Sequence, residues 1–286
     1  MTFPYYFDLA GLHLHPHPVL EVVAYAGGFQ IYLWLRRRAR EKATPLEQNM
    51  WVLVGAVFGA LVGSKLLAWA ESWPEYWAHR DELQAWLGGK TVVGGLLGGW
   101  AGVEVAKRCV GVTHRTGDFF ILPLAFGMAV GRIGCFLTGL TDHTYGIATS
   151  VPWGVDFGDG IPRHPTQLYE SAFIALWGCL VWCWVVRDGR AGQARRLKQG
   201  DGFRIFILGY LAMRLAIEFL KPTWKAYGGL SAIQWACVIG AAVCATQLMR
   251  GRRRPAELLA RFDTGRSGNV VPDPAGPGRP DHDPLT

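Results

Sequence analysis

At 286 residues, with half of them hydrophobic and only 18% charged, the chain carries too little charge for an ordinary soluble domain of its length. Its formal charge of +7 falls in short clusters beside apolar runs, a pattern of membrane-topology determinants that argues against a nucleic-acid surface. The cysteines (Cys109, Cys135, Cys179, Cys183, Cys237 and Cys244) are scattered without a Cys-x-x-Cys pair, so they read as small buried residues and not as a disulfide or zinc framework.

In chain order, Met1-Thr-Phe-Pro-Tyr-Tyr-Phe-Asp8 lacks a basic region ahead of an apolar one, so no cleavable signal peptide is expected. His13, His15 and His17 alternate in a Pro-containing segment and have metal-ligand chemistry, but no carboxylate accompanies them there and no metal is expected. A bilayer crossing takes about 20 apolar residues, and the chain has room for about seven. The expected spans are Val19 to Leu35, Met50 to Ala70, Val92 to Ala106, Phe119 to Leu140, Leu168 to Val186, Gly202 to Leu220 and Ile233 to Met249. The fold class is therefore all-α, a polytopic membrane protein. Residues 1–250 form the membrane domain, and residues 251–286 form a polar tail rich in Pro, Gly and Asp that is expected to be disordered.

Basic clusters follow alternate spans: Arg36-Arg-Arg-Ala-Arg40, Lys107-Arg108, Arg187-Asp-Gly-Arg190 and Arg250-Gly-Arg-Arg-Arg254. The intervening loops carry few Lys or Arg, so the positive-inside rule places the N-terminus outside and the C-terminus in the cytoplasm. Gly55, Gly59 and Gly63 recur every fourth residue, as do Gly94, Gly98 and Gly102, which puts small residues on one helix face for close packing. A phosphate-cradling loop would need a preceding strand, and none is expected. Lys65 is expected to snorkel to the interface. Asp156-Phe-Gly-Asp159 resembles a kinase triplet but stands alone, so its Gly and Asp are assigned to turns.

Charge inside a bilayer costs about 2.5–3.5 kcal/mol per residue on insertion scales, so each such residue needs a reason. Arg132, Arg214 and Glu218 fall in the outer parts of their spans, and Arg163 and His164 fall in the loop between spans four and five. Guanidinium groups at headgroup depth suit a phosphate, which they grip through paired hydrogen bonds. The plainer alternative is that Arg214 pairs with Glu218 and Arg132 snorkels.

Gly131-Arg-Ile-Gly-Cys-Phe136, Tyr145-Gly146, Arg163-His-Pro-Thr-Gln-Leu-Tyr-Glu170 and Gly209-Tyr-Leu-Ala-Met-Arg-Leu-Ala-Ile-Glu-Phe219 together resemble the prolipoprotein diacylglyceryl transferase family. The resemblance runs from the first span to the seventh. It implies an inner-membrane enzyme with a periplasm-facing site that moves the diacylglyceryl group of phosphatidylglycerol onto the lipobox cysteine of a prolipoprotein. It implies no cofactor. Arg132 and Arg214 would hold the departing phosphate, with Glu218 orienting Arg214. His164 is a candidate base, and Gly146, Arg163, Gln167, Tyr169 and Glu170 would build the substrate loop. The family histidine ahead of the span-three Gly-Gly is Val93 here, and its asparagine after the arginine motif is Cys135, followed by Thr138. The usual Tyr-Gly of the first span is poorly matched, with Glu21 and Tyr25 nearby. Asp142 and His143 sit where they could assist proton transfer, and Cys135 is either a packed small residue or a nucleophile beside Arg132. Two other readings stay open: a catalytically silent relative that binds anionic phospholipid or precursor, and a transporter. Against the transporter, the charges share one depth and no internal repeat is visible.

Overall fold

The computed structural model describes residues 3–9, 11–39, 46–113, 117–190 and 197–264. Strands β1 (Phe7–Leu9) and β2 (Leu12–Leu14) make a small antiparallel hairpin. Then come α1 (Pro16–Ala39), α2 (Leu46–Glu71) and two short helices, α3 (Trp73–Ala78) and α4 (Leu83–Leu87). Helix α5 (Val92–Cys109) precedes α6 (Ile121–Thr138), which is flanked by 3-10 turns at Gly117–Phe120 and Gly139–Asp142. A second hairpin, β3 (Val155–Asp156) and β4 (Pro162–Arg163), leads into α7 (Thr166–Arg190). Helix α8 (Asp201–Ile217) closes in a 3-10 turn at Glu218–Leu220, and α9 runs Ala232–Thr264.

The protein is thus mostly helical, with two small sheets that the span pattern did not foresee. Among the described residues, five helices are long and apolar enough to cross a membrane: Pro16–Arg38, Gln48–Glu71, Gly117–Asp142, Thr166–Val186 and Ala232–Arg250. Helix α5 is set apart by Glu104, Lys107 and Arg108 among its 18 residues, and α8 with its 3-10 turn by Arg204, Arg214 and Glu218. The tail expected from residue 251 is helical as far as Thr264, and residues 265–286 lie outside the described residues.

The local sequence explains the helix limits. Pro16 opens α1, where its missing N–H is no loss, and Arg36, Arg37 and Arg38 sit on the carbonyl-rich last turn. The glycine stripes of α2 and α5 meet in antiparallel register. A Cβ on Gly59 would lie 2.3 Å from the Gly98 carbonyl oxygen, one on Gly63 2.4 Å from that of Gly94, and one on Gly55 2.7 Å from that of Gly102. The outer face of α2 exposes Leu53, Val57, Phe58 and Leu61, an apolar strip that fits lipid.

Neighbouring helices also alternate in direction. The start of α1 meets the end of α6, where His17 Nδ1 lies 3.6 Å from Asp142 Oδ1, and Ser171 Oγ on α7 donates to the Ala129 carbonyl on α6 at 2.9 Å. Helix α8 runs alongside α6 in the same direction. Asp118, at the start of the α6 segment, accepts the N–H groups of Gly200 and Phe203 at 2.7 and 3.0 Å. Phe206, Ile207, Tyr210 and Leu211 of α8 are completely buried with Ile121 and Ile174 in the core. One end of the bundle therefore gathers the start of α1, the end of α2, the end of α6, the start of α7 and the end of α8.

Candidate active site

The buried stripe of α8 continues from Tyr210 and Leu211 to Arg214, Ile217 and Glu218, so its helical period carries two charged side chains into the interior. Arg132 arrives there from the last turns of α6 and Glu170 from the first turns of α7. Arg132 Nη2 lies 2.7 Å from Glu170 Oε2, and Lys221 Nζ donates to Glu170 Oε1 at 2.6 Å. Arg214 forms an ion pair with Glu218 one turn on and is also within electrostatic reach of Glu170. Glu71, the last residue of α2, accepts the Ile233 N–H at 2.9 Å and lies within electrostatic reach of Arg214 and Glu218. Glu170 and Glu218 are 0% exposed, and Arg132, Arg214 and Lys221 are each under a tenth exposed.

Cations and carboxylates balance in this cluster: Arg132, Arg214 and Lys221 against Glu170, Glu218 and Glu71. An isolated buried ion costs several kcal/mol, so the pairing is what permits each of them here. Lys221, beyond the end of α8, shows the tension. Burial, with the Arg214 charge beside it, pushes its ammonium down from 10.5 to about 8, against the pull of Glu170.

The cluster is also under-satisfied. Gln167 is 0% exposed, and neither its amide nitrogen nor its amide oxygen has a hydrogen-bond partner among the described residues. The same holds for the Tyr210 hydroxyl and Glu218 Oε1. A buried polar group left unmade costs about 1–3 kcal/mol, so such a group of them beside fixed charges suits a polar ligand or ordered water.

The remaining residues singled out in the sequence build the loop above this cluster. Gly146 N–H donates to the His164 carbonyl at 3.0 Å, His164 N–H to the Ile147 carbonyl at 3.1 Å, and Ile147 N–H to the Leu220 carbonyl at 2.7 Å. That last bond ties the loop to the turn that presents Lys221. Gly146 fits because a Cβ there would lie 2.7 Å from the His164 Cβ and 2.8 Å from its carbonyl oxygen. The His164 ring nitrogen Nδ1 is 3.3 Å from the Tyr169 hydroxyl, which accepts from the Trp153 indole at 2.7 Å. Arg163 does not join the charged cluster through any ion pair among the described residues. It pairs with Asp159 at 2.6 Å and lies over the Tyr145 ring at 5.1 Å. Its hydrogen bond holds the Asp159 carboxyl below the usual range. Asp156 Oδ1 accepts the N–H groups of Gly158, Asp159 and Gly160, so this segment is a hydrogen-bonded turn.

Lys65, expected to snorkel, reaches the segment that follows α4. Its ammonium donates to the carbonyls of Leu87, Gly88 and Gly89, binding the end of α4. Val93 is 1% exposed in the apolar core and offers no proton acceptor. Sequence reasoning did not single out Lys221, Glu71 or Tyr210. Lys221 had a signal, since it follows Glu218 by three residues at the end of an apolar helix. Glu71 looked like the polar end of its span, and Tyr210 like one more apolar residue.

The family described as prolipoprotein diacylglyceryl transferase matches residues 4–250 of this chain. A Cupriavidus necator protein named phosphatidylglycerol–prolipoprotein diacylglyceryl transferase is 33% identical over 239 residues, covering 75% of this chain and 80% of that one. Proteins of the same name from Legionella pneumophila and Cupriavidus metallidurans are 30% and 31% identical. They cover 77% and 86% of this chain, and 84% and 95% of their own length. No solved structure matches the chain.

Proposed function

The chain belongs to the prolipoprotein diacylglyceryl transferase family, and from that premise we propose that it transfers the diacylglyceryl group of phosphatidylglycerol to the lipobox cysteine of a prolipoprotein. The observation that carries this reading is the convergence of Arg132, Lys221 and Arg214 on Glu170 in a buried, under-satisfied site. In the reaction the acceptor sulfur, its thiol proton already lost to water, forms a bond as the thiolate to the terminal glycerol carbon of the diacylglyceryl group. The C–O bond to phosphate breaks, and the electron pair leaves on the phosphate oxygen as glycerol phosphate. A phosphodiester monoanion thus becomes a monoester dianion. Fixed guanidinium groups in a water-poor site stabilise that growing charge, which is where the catalytic advantage lies.

Arg132 and Arg214 receive the phosphate, and Glu170 and Glu218 hold them in place until it arrives. Gln167 and Tyr210 supply unused hydrogen-bonding groups to the glycerol and ester oxygens. Gly146, Arg163, His164 and Tyr169 shape the loop over the site, with His164 held by backbone bonds on both sides. Mass spectrometry of a lipobox peptide after incubation with the protein in phosphatidylglycerol liposomes tests this, the expected product being the diacylglyceryl thioether. Arg132→Ala and Arg214→Ala should each lower the rate by about 10²–10³. Product formed at the wild-type rate by both variants would remove the phosphate clamp. The second reading, a silent relative, draws on Val93. Folded protein that binds phosphatidylglycerol but yields no product would favour it.

The same premise extends to topology: seven crossings in the inner membrane, with α5 and α8 as the two beyond the five apolar helices. Support comes from packing, since α5 follows α2 in antiparallel register along its glycine stripe and α8 runs beside α6. The basic ends then face the cytoplasm and the charged cluster faces outward. A reporter fused after Thr286 should read as cytoplasmic; an external signal there would overturn this orientation.

A further inference from the structure

The first histidine segment looked unsuited to a metal because it lacked a carboxylate, and the fold supplies one. His17 lies in the first turn of α1 and packs against the end of α6. There Gly134 admits it, since a Cβ on Gly134 would already lie 3.3 Å from the Leu20 Cβ. The contact places His17 Nδ1 3.9 Å from Cys135 Sγ and 3.6 Å from Asp142 Oδ1. The three ligand atoms all fall within 4.8 Å of one another. Zinc bonds to nitrogen, oxygen and thiolate of about 2.0–2.3 Å give tetrahedral edges of about 3.3–3.6 Å, so a small inward movement of these side chains would enclose an ion.

Two of the three ligands have a partner behind them. Asp142 Oδ2 accepts the Thr144 hydroxyl at 2.6 Å, leaving Oδ1 toward His17. His17 Nε2 faces Glu21 Oε2 at 3.9 Å, and the other Glu21 oxygen takes Tyr25 at 2.8 Å and Lys90 at 3.0 Å. A carboxylate behind a histidine is the usual support of a metal ligand, because it fixes the ring and its tautomer. The charges suit a dication as well. A thiolate and a carboxylate neutralise it, so the neighbouring Arg132, already paired with Glu170, faces a neutral group and not a net positive one.

We infer that His17, Cys135 and Asp142 bind a borderline-soft divalent cation of the zinc class, with a fourth coordination position open. Resting on the transferase reading above, that position accepts the thiol of the lipoprotein precursor. The thiol loses its proton to water as the metal–sulfur bond forms, and metal coordination keeps it ionised. It then stands beside Arg132, the residue proposed to receive the departing phosphate. Activation of this kind requires no titratable group at Val93.

The probe is cobalt(II), titrated into chelator-treated full-length protein in detergent. The expected result is a thiolate-to-cobalt charge-transfer band with tetrahedral d–d absorption, both bleached by zinc. Cys135→Ser should lose the charge-transfer band while Cys237→Ser keeps it. Glu21→Gln, which alters no ligand, should weaken cobalt binding by about 10–100-fold. Lipobox peptide should intensify the charge-transfer band, and its Cys→Ser version should not. Absence of the band in the wild type, or its survival in Cys135→Ser, overturns the site. An unchanged spectrum with peptide overturns the thiol position alone. Lipid transfer without cobalt binding would sink this site and leave the transferase reading standing, while cobalt binding without lipid transfer would do the reverse.

Discussion

The α2–α5 seam and the charged end of α6, α7 and α8 are two answers to one demand, that helices in an apolar bundle hold a fixed distance. Along the seam the answer is subtraction. Side chains are missing at Gly55, Gly59, Gly63, Gly94, Gly98 and Gly102, and backbone meets backbone. At the charged end the answer is addition, with Glu170 pulled between Arg132 and Lys221. Dispersion between close backbones has no preferred charge state and no vacancy for a ligand. A buried ion network has both, so only the second region can exchange an internal partner for a substrate phosphate.

Substitutions should separate the two regions. Removing a shared counter-charge should cost most: Glu170→Ala leaves Arg132 and Lys221 facing each other and should destabilise the protein by about 3–5 kcal/mol. Thermal unfolding in detergent checks this, and a melting temperature equal to the wild type would mean that the network holds nothing together. At the seam, Gly98→Ala puts a Cβ 2.2 Å from the Gly59 carbonyl oxygen, a backbone atom that can move only with its helix. The cost should be about 1–3 kcal/mol. The fraction that still folds should transfer lipid at the wild-type rate, since no charge has changed; a large loss of specific activity would mean that the two regions are coupled.

The smallest effect is a change of pH profile. Lys221 is charged below about 8 and neutral above it. Transfer should therefore fall as pH rises through that value, while Lys221→Arg, charged throughout, should stay active further into alkali. Because the folded value lies below that of the unfolded chain, stability moves the other way and rises between about 8 and 10.5 in the wild type. Identical alkaline limbs in both proteins would separate Lys221 from the chemistry.

Much of this was legible in the residues themselves. Apolar runs and basic ends gave helices whose observed limits differ from expectation by a few residues for most spans, because a run of such length has few other ways to satisfy its backbone in an apolar medium. The glycine stripes announced a seam, and their four-residue spacing put them on one face of each helix. Arg132, Arg214 and Glu218 were visible as charges in improbable places, whereas Glu170, read as part of the substrate loop, sits on α7 between Arg132 and Lys221. The pairing of Arg214 with Glu218 one turn on was legible too, but the partners across helices were not, because that pairing depends on which helix ends meet. Glu170 takes Lys221 from 51 positions away. Glu71 takes the Ile233 N–H from 162 positions away.

The hairpins and the short helices α3 and α4 were missed for a related reason. Their segments are too short to show a period, and they are held by contacts such as that of Lys65 with the carbonyls of Leu87, Gly88 and Gly89. The sequence by itself determined a helical membrane protein of this family and the charges it takes into the interior, since hydropathy and motif are properties of neighbouring residues. Only the tertiary structure decided that Glu170 is the hub, that Arg163 turns to Asp159, and that His17 meets Cys135 and Asp142. The contacts of Glu170 and of His17 exist only once helices distant in the chain are packed side by side, whereas the Arg163–Asp159 pair forms within the fold of the second hairpin.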